Sequence, residues 1–237
     1  MESEVRTWLV TGSNRGIGLE YVRQLISSAS NIVIATCRNP VTASELQALK
    51  DIAIGNLYIH ELDVTNPESI DTSLALVKDI LDIHGLDYLI NNAAVTEGND
   101  LAFSMTMSGL MNSLQANVAG PALISQVYLP YLEKSKRKVI VNMTSGLSSI
   151  GLDCGKKNAS YSIAKTALNM LTYKQATERH DLISFVIDPG WVKTEMGGEG
   201  AVLEPHESVS ALLKFAVDAT KEHSGKLFKY TGEPLPW

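Results

Sequence analysis

The stretch Arg6-Thr7-Trp8-Leu9-Val10-Thr11-Gly12-Ser13-Asn14-Arg15-Gly16-Ile17-Gly18 decides how this chain folds. Its first half is a short apolar run of the kind that forms a buried strand. Its second half is glycine-rich, and from Gly16 to Ser28 the apolar residues Ile17, Tyr21, Val22, Leu25 and Ile26 recur on one helical side. The order is therefore strand, glycine loop, helix. Glycine lets the backbone turn tightly and lets a ligand approach, and the first turn of a helix offers free N–H groups and a positive dipole to phosphate. This is the chemistry of a dinucleotide site. The spacing, Gly-x-x-x-Gly-x-Gly, differs from the Gly-x-Gly-x-x-Gly of the common dinucleotide fingerprint. An ordinary glycine turn remains the alternative.

Working outward, further apolar runs alternate with helical patterns. Strands are predicted at Thr7–Val10, Asn31–Thr36, Leu57–Glu61, Leu86–Asn91, Lys138–Met143, Ile183–Ile187 and Leu227–Tyr230. Strands alternating with helices imply an α/β fold: a doubly wound, Rossmann-like parallel sheet of about seven strands, with helices on both faces and ligands at the strand carboxyl ends. No linker, repeat or low-complexity tract divides the 237 residues, so one domain spanning residues 1–237 is expected.

Tyr161-Ser162-Ile163-Ala164-Lys165 places a phenol and an ammonium four residues apart, on one helix face. A free tyrosine titrates near ~10, too high for ready proton exchange at neutral pH. A neighbouring cation favours the phenolate, so Lys165 is expected to lower the Tyr161 pKa. Taken alone the spacing also fits an ordinary solvated helix face. Its context adds Asn91-Asn92-Ala93-Ala94 at one strand exit and Thr144-Ser145 at another.

With these residues in order, the chain resembles the short-chain dehydrogenase/reductase family. The match is carried by Thr11-Gly12-x-x-x-Gly16-x-Gly18, Asn91-Asn92-Ala93, Asn117, Ser145, Tyr161-x-x-x-Lys165 and Pro189-Gly190-Trp191-Val192-Lys193-Thr194. It extends from about Arg6 to the end, where Phe228 to Trp237 is similar to the tails of sniffer-type carbonyl reductases and C-factor proteins. The resemblance implies a catalytic set of Asn117, Ser145, Tyr161 and Lys165. In that set Tyr161 is the acid, Ser145 binds the carbonyl oxygen, and Lys165 holds the nicotinamide ribose and tunes the phenol. Asn117 holds a water joining the lysine to solvent, although a buried Asn with purely structural bonds is the other reading.

For the cofactor, the resemblance and the glycine loop together point to Gly12, Asn14, Arg15, Gly16, Ile17, Gly18, Asp63, Asn91, Ala93, Tyr161, Lys165, Pro189, Gly190, Val192 and Thr194. Asp63, set near the adenine by resemblance, also reads as the approach to a helix cap before Thr65-Asn66-Pro67. Trp191 reads as packing. Two departures stand out: Ala94 replaces the family's usual glycine, and the interval from Ser145 to Tyr161 is a few residues long. Ser148 lies nearer the commoner interval, but Ser145 follows the strand directly and is preferred.

Sites that prefer the unphosphorylated cofactor place a carboxylate about 20 residues beyond the glycine turn. Here the second strand ends in Thr36-Cys37-Arg38, without an acid. Arg38 and Arg15 are suited to a ribose phosphate, because planar guanidinium forks donate paired, charge-assisted hydrogen bonds. NADP(H) is the expected cofactor, with a surface charge as the other reading of Arg38. Reduction of a small carbonyl substrate is the expected reaction. A C-factor-like binding or signalling protein with little turnover is the alternative, against which the joint presence of Ser145, Tyr161 and Lys165 argues.

Composition narrows the partners. A net charge of −6 disfavours nucleic acid, and the basic cluster Lys134, Lys136, Arg137, Lys138 reads as a solvated loop. The five histidines and two cysteines lack metal-ligand spacing, so no metal is expected. No apolar run is long enough for a membrane span, and Met1, Glu2 and Glu4 do not open a secretory leader, which makes a cytoplasmic location the expectation. Residues 195–204, rich in glycine, are expected to form a mobile loop over the substrate. The helices Met107–Glu133 and Ala159–Arg179 resemble the family's dimer-forming pair, so a homodimer is expected.

Overall fold

The structure, a computed structural model, describes residues 4–237; Met1 and Glu2, on which the leader reading partly rests, lie outside the described residues. Seven strands form one sheet: β1 (Arg6–Thr11), β2 (Asn31–Cys37), β3 (Asn56–Glu61), β4 (Tyr88–Asn91), β5 (Val139–Met143), β6 (Ile183–Asp188) and β7 (Leu227–Lys229). Their order is β3-β2-β1-β4-β5-β6-β7, and every pairing is parallel. Chain order reverses between β1 and β4, which opens a crevice at their carboxyl ends. The expected doubly wound fold is thus observed.

Central strands of such a sheet are covered on both faces and need continuous apolar sequence. Trp8-Leu9-Val10, Ile32 to Ala35 and Tyr88 to Ile90 supply it, each nearly or wholly inaccessible. Helices α1 (Gly16–Leu25), α2 (Ser44–Ala48) and α7 (Pro205–Asp218) cover one face, where Leu19, Tyr21, Val22 and Leu212 pack on Val10, Val33 and Phe185. The other face carries α3 (Pro67–His84) and α5 (Gly120–Lys134), whose Ile70, Leu81, Ile124 and Tyr128 meet Leu9, Ile34 and Leu89. On that side α6 (Ala159–Glu178) lies over β6 and beside α4 (Met107–Leu114). Below the switch point, the rings of Trp8 and Tyr88 stack on adjacent strands with centroids 3.7 Å apart.

The helix expected across 107–133 is not continuous. Between α4 and α5 the residues Gln115–Ala119 form a π-turn, in which the Gly120 N–H donates to the Gln115 carbonyl. Such turns interrupt α-helices chiefly at functional sites, and this one contains Asn117.

The basic cluster divides: Lys134 and Lys136 are exposed, as a solvated loop requires, while Arg137 and Lys138 are partly buried and bound. Lys134 donates to Asp82 over 2.7 Å, Arg137 to the Tyr88 hydroxyl over 2.9 Å, Lys138 pairs with Asp181 at 3.6 Å, and Lys136 lies 3.8 Å from Glu4. Lys134 ties the end of α5 to α3, and Arg137 and Lys138 tie the approach to β5 to β4 and to the segment before β6. No described helix is long and apolar enough to cross a membrane.

Candidate active site

The glycine loop is shaped by contacts that exclude side chains. Gly12 and Gly16 have φ of 68° and 55°, and a Cβ on Gly12 would stand 2.9 Å from the Ala93 Cα. At Gly18 the constraint is packing: a Cβ would fall 2.1 Å from the Gly12 carbonyl oxygen and 2.6 Å from Asn92 Nδ2. The loop delivers the chain into α1 with no side chain capping its first amides and no acid in its first turn. An anionic group is the natural complement to that end. The residues present therefore fit a pyrophosphate-bearing cofactor.

Thr11 and Asn92 lock this loop to the exit of β4. Thr11 Oγ1 accepts from the Asn92 and Ala93 amides at 3.0 Å, and Asn92 Nδ2 donates to the Thr11 and Gly12 carbonyls at 2.9 and 3.2 Å. Neither residue was singled out for this role from sequence. Strand parity offered a signal, since Asn91 and Asn92 must face opposite ways. Asn91 points away from the crevice: its amide donates to Asn142 Oδ1 at 2.8 Å among buried groups. Ala94 takes no left-handed conformation, so the extra methyl imposes no backbone strain.

The segment after β6 closes the other wall. Gly190 (φ 80°) turns against Tyr230 and Leu203, Val192 is buried and bridges to Leu203, and Thr194 Cγ2 lies 3.1 Å from the Cβ position of Gly16. The Pro189 carbonyl accepts from Ser208 at 2.7 Å. Trp191 donates from Nε1 to the Gly197 carbonyl at 2.8 Å. Together with the Val202 and Leu203 amides, which donate to the Trp191 carbonyl, this bond organises the 195–204 loop.

Among the remaining candidates, Asn14 is exposed on the glycine loop and Ile17 is partly buried in α1. Arg15 is ion-paired with Glu195 across the crevice, joining the two walls. Arg38 is exposed at the end of β2 and has no ion pair among the described residues. Asp63 Oδ1 accepts from the Thr65 amide and hydroxyl at 2.9 and 2.7 Å, which shapes the turn before α3; Asn66 is the residue that caps the helix.

The catalytic candidates converge where β4, β5 and α6 meet. Asp100 accepts from the Ser160 amide at 3.3 Å and fixes the start of α6. Half-buried Tyr161 and buried Lys165 follow, with the lysine Nζ 5.6 Å from the phenol ring centroid. Lys165 Nζ donates to the Met143 carbonyl at 2.7 Å. Asn117 uses both ends of its amide on Val95, accepting from the amide and donating to the carbonyl at 2.9 Å. Its side chain therefore holds the loop after β4.

The expected direction of the tyrosine shift is corrected here. Burial pushes the Tyr161 pKa well above the ordinary phenol value, and the nearby Asp188 carboxylate adds to this. Burial also brings Lys165 down to about 7. Desolvation penalises the charged form of each group, so a lysine that is largely neutral above pH 7 supplies little field to lower its neighbour.

The two serines differ plainly. Ser148 is buried and fully engaged, donating to the Ser145 carbonyl at 2.6 Å and accepting from Asn169 Nδ2 at 2.9 Å. Ser145 is half-buried; its Oγ accepts from the Leu147 amide at 3.2 Å, and its hydroxyl proton has no acceptor among the described residues. It alone can donate into the crevice.

This fold and crevice define a dinucleotide-binding α/β protein, and comparison with known proteins narrows the class. Residues 6–201 match the short chain dehydrogenase family. The chain belongs to that family of oxidoreductases. It is similar to the NADPH-bound carbonyl reductase from chicken fatty liver, with 35% identity, a TM-score of 0.91, and coverage of 99% of this chain and 100% of that one. It is likewise similar to carbonyl reductase Sniffer of D. melanogaster, with 29% identity, a TM-score of 0.92 and the same coverage. The C-signal protein of Myxococcus xanthus is 29% identical over 154 residues, which are 64% of this chain and 93% of that protein. Both sides of the expected resemblance are thus found.

Proposed function

We propose that the protein is an NADP(H)-dependent carbonyl reductase that acts on small carbonyl compounds. The observation that carries this reading is the convergence of a donor-ready Ser145, a half-buried Tyr161 and a buried Lys165 at the carboxyl edge of the sheet, beside a loop shaped for pyrophosphate. The nicotinamide cofactor, when bound, supplies hydride.

The chain's own groups do the rest. Ser145 donates a hydrogen bond to the carbonyl oxygen, an interaction that strengthens as negative charge grows there. Tyr161 delivers its proton to that oxygen. A phenol whose pKa is raised by burial keeps its proton at neutral pH, the state that reduction requires. Loss of the proton creates an anion beside Lys165 and draws the lysine back toward its charged form. The lysine takes its proton from solvent water, so the cation accompanies the phenolate and the tyrosine is later reprotonated from the same source. Asn117 fixes the loop at Val95 that borders the site.

Arg38, exposed and without an ion pair among the described residues, is suited to a ribose phosphate, and Arg15 joins it when released from Glu195. The NADPH-bound state of the chicken fatty liver carbonyl reductase supports the same choice. A second reading, a cofactor-binding signalling protein, is favoured only by the C-signal likeness. Such a role needs none of Ser145, Tyr161 and Lys165.

Self-association into a homodimer is part of the proposal. Adjacent helices α4 and α6 expose Met107, Met111, Ile163, Met170 and Tyr173, an apolar face that a second copy would cover. Sedimentation equilibrium should give the mass of two chains; a single-chain mass at micromolar concentration would remove this element.

Two assays test the reaction and cofactor. NADPH consumption with a panel of ketones, aldehydes and quinones should reveal turnover that Tyr161→Phe lowers by about 100-fold or more. NADPH binding without turnover of any carbonyl by the wild type would instead support the signalling role. Arg38→Asp should weaken NADPH about 10- to 100-fold more than NADH, the loss expected for a charge-assisted contact. An unchanged cofactor preference would refute the phosphate assignment.

A further inference from the structure

Tyr161, Lys165 and Asn169 follow one another at i, i+4 and i+8 along α6, so all three face the end of β5. Asn169 has no part in the reaction proposed above, yet it is 3% exposed and every polar atom of its side chain is used. Its Oδ1 accepts from Thr144 Oγ1 at 2.9 Å. Its Nδ2 donates to Ser148 Oγ at 2.9 Å and approaches the Ser148 carbonyl at 3.4 Å. Ser148 in turn donates from its hydroxyl and its amide to the Ser145 carbonyl, at 2.6 and 2.9 Å.

These bonds form a closed frame around Ser145. Thr144 precedes it, Ser148 follows it by three residues, and one amide side chain spans the two. Thr144 and Ser148 are each almost wholly buried, so neither can exchange its partner for bulk water without opening the site. The turn Gly146–Ser148, which sets where the Ser145 hydroxyl points, is therefore referenced to the helix that carries the phenol and the ammonium.

We infer that Asn169 is a positioning residue for Ser145: it fixes the distance between the serine hydroxyl and the Tyr161–Lys165 pair by clamping the residues on either side of the serine to α6. The inference rests on the carbonyl-reductase reading above. The geometry selects asparagine, because the clamp needs one acceptor and one donor on a single short planar group. Aspartate keeps the acceptor for Thr144 and loses the donor to Ser148. Alanine loses both.

The test uses the full chain with NADPH and an aromatic ortho-quinone as the carbonyl probe. Asn169→Ala should lower kcat about 10- to 100-fold, the scale of a misplacement near one ångström, while the NADPH Kd stays within about threefold. Asn169→Asp should also lower kcat, and it serves if the alanine variant fails to fold. The decisive readout is the cycle with Ser145→Ala: in that background Asn169→Ala or Asn169→Asp should change kcat less than about threefold, because the group it positions is already gone. Full multiplication of the two effects would overturn the inference, as would wild-type kcat in a folded Asn169 variant. Tyr161→Phe separates the two levels. If it abolishes turnover while the Asn169 variants are wild type, the clamp fails and the reductase reading stands; if it leaves turnover intact, both fail.

Discussion

Lys165 Nζ donates to the Met143 carbonyl over 2.7 Å in a site where the side chain is 2% exposed. The rest of the site depends on this bond. It fastens α6 to the last residue of β5, and through that strand end to Thr144 and Ser145. A cation in such surroundings costs several kcal/mol to desolvate, and one carbonyl does not offset that. The ammonium therefore gives up its proton near pH 7, and the phenol beside it, desolvated and near Asp188, holds on to its own. Burial sets the protonation of both groups before any partner is added.

Order elsewhere serves this corner. The sheet brings β1, β4, β5 and β6 side by side, so the glycine loop, the Asn92 lock, Ser145 and the Pro189-Gly190 turn all reach one edge. The Gly12–Ala93 contact leaves no room for a side chain, and Gly16 adds a left-handed φ of 55° beside Thr194, which favours glycine at both points. The Asn117 amide and the Asn169 amide perform parallel tasks: each spends both ends on backbone or hydroxyl groups and holds a loop that borders the crevice.

Much of this was legible in the sequence. Apolar runs place the strands to within a residue or two, because the central strands of a parallel sheet are covered on both faces; the run at Leu86 begins early only because Leu86 and Asp87 extend the approach to β4, where Asp87 accepts from the Thr7 amide. The π-turn at Gln115–Ala119 was not legible. It contains neither glycine nor proline, and the long-range grip of Asn117 on Val95 lies within it. The direction of the Tyr161 shift was also hidden, since i, i+4 spacing reports that two groups share a face but not how far burial disfavours the charged form of each. Asn169 had a signal, the same spacing continued one turn further. The pairing of Lys134 with Asp82 and of Lys138 with Asp181 was not legible, because those acids are distant in sequence.

The most direct measurement is a titration of Lys165 in the cofactor-free protein, by NMR of the lysine ¹³Cε resonances with Lys165→Met for assignment. The account places the midpoint at about 7. Because the folded value then lies below the unfolded ~10.4, folding stability should rise as pH increases from 7, and Lys165→Met should lack that rise. A midpoint near the ordinary lysine value would contradict the account, since Lys165 would then be a permanent cation and the field on Tyr161 would be that of a charge rather than of a dry interior.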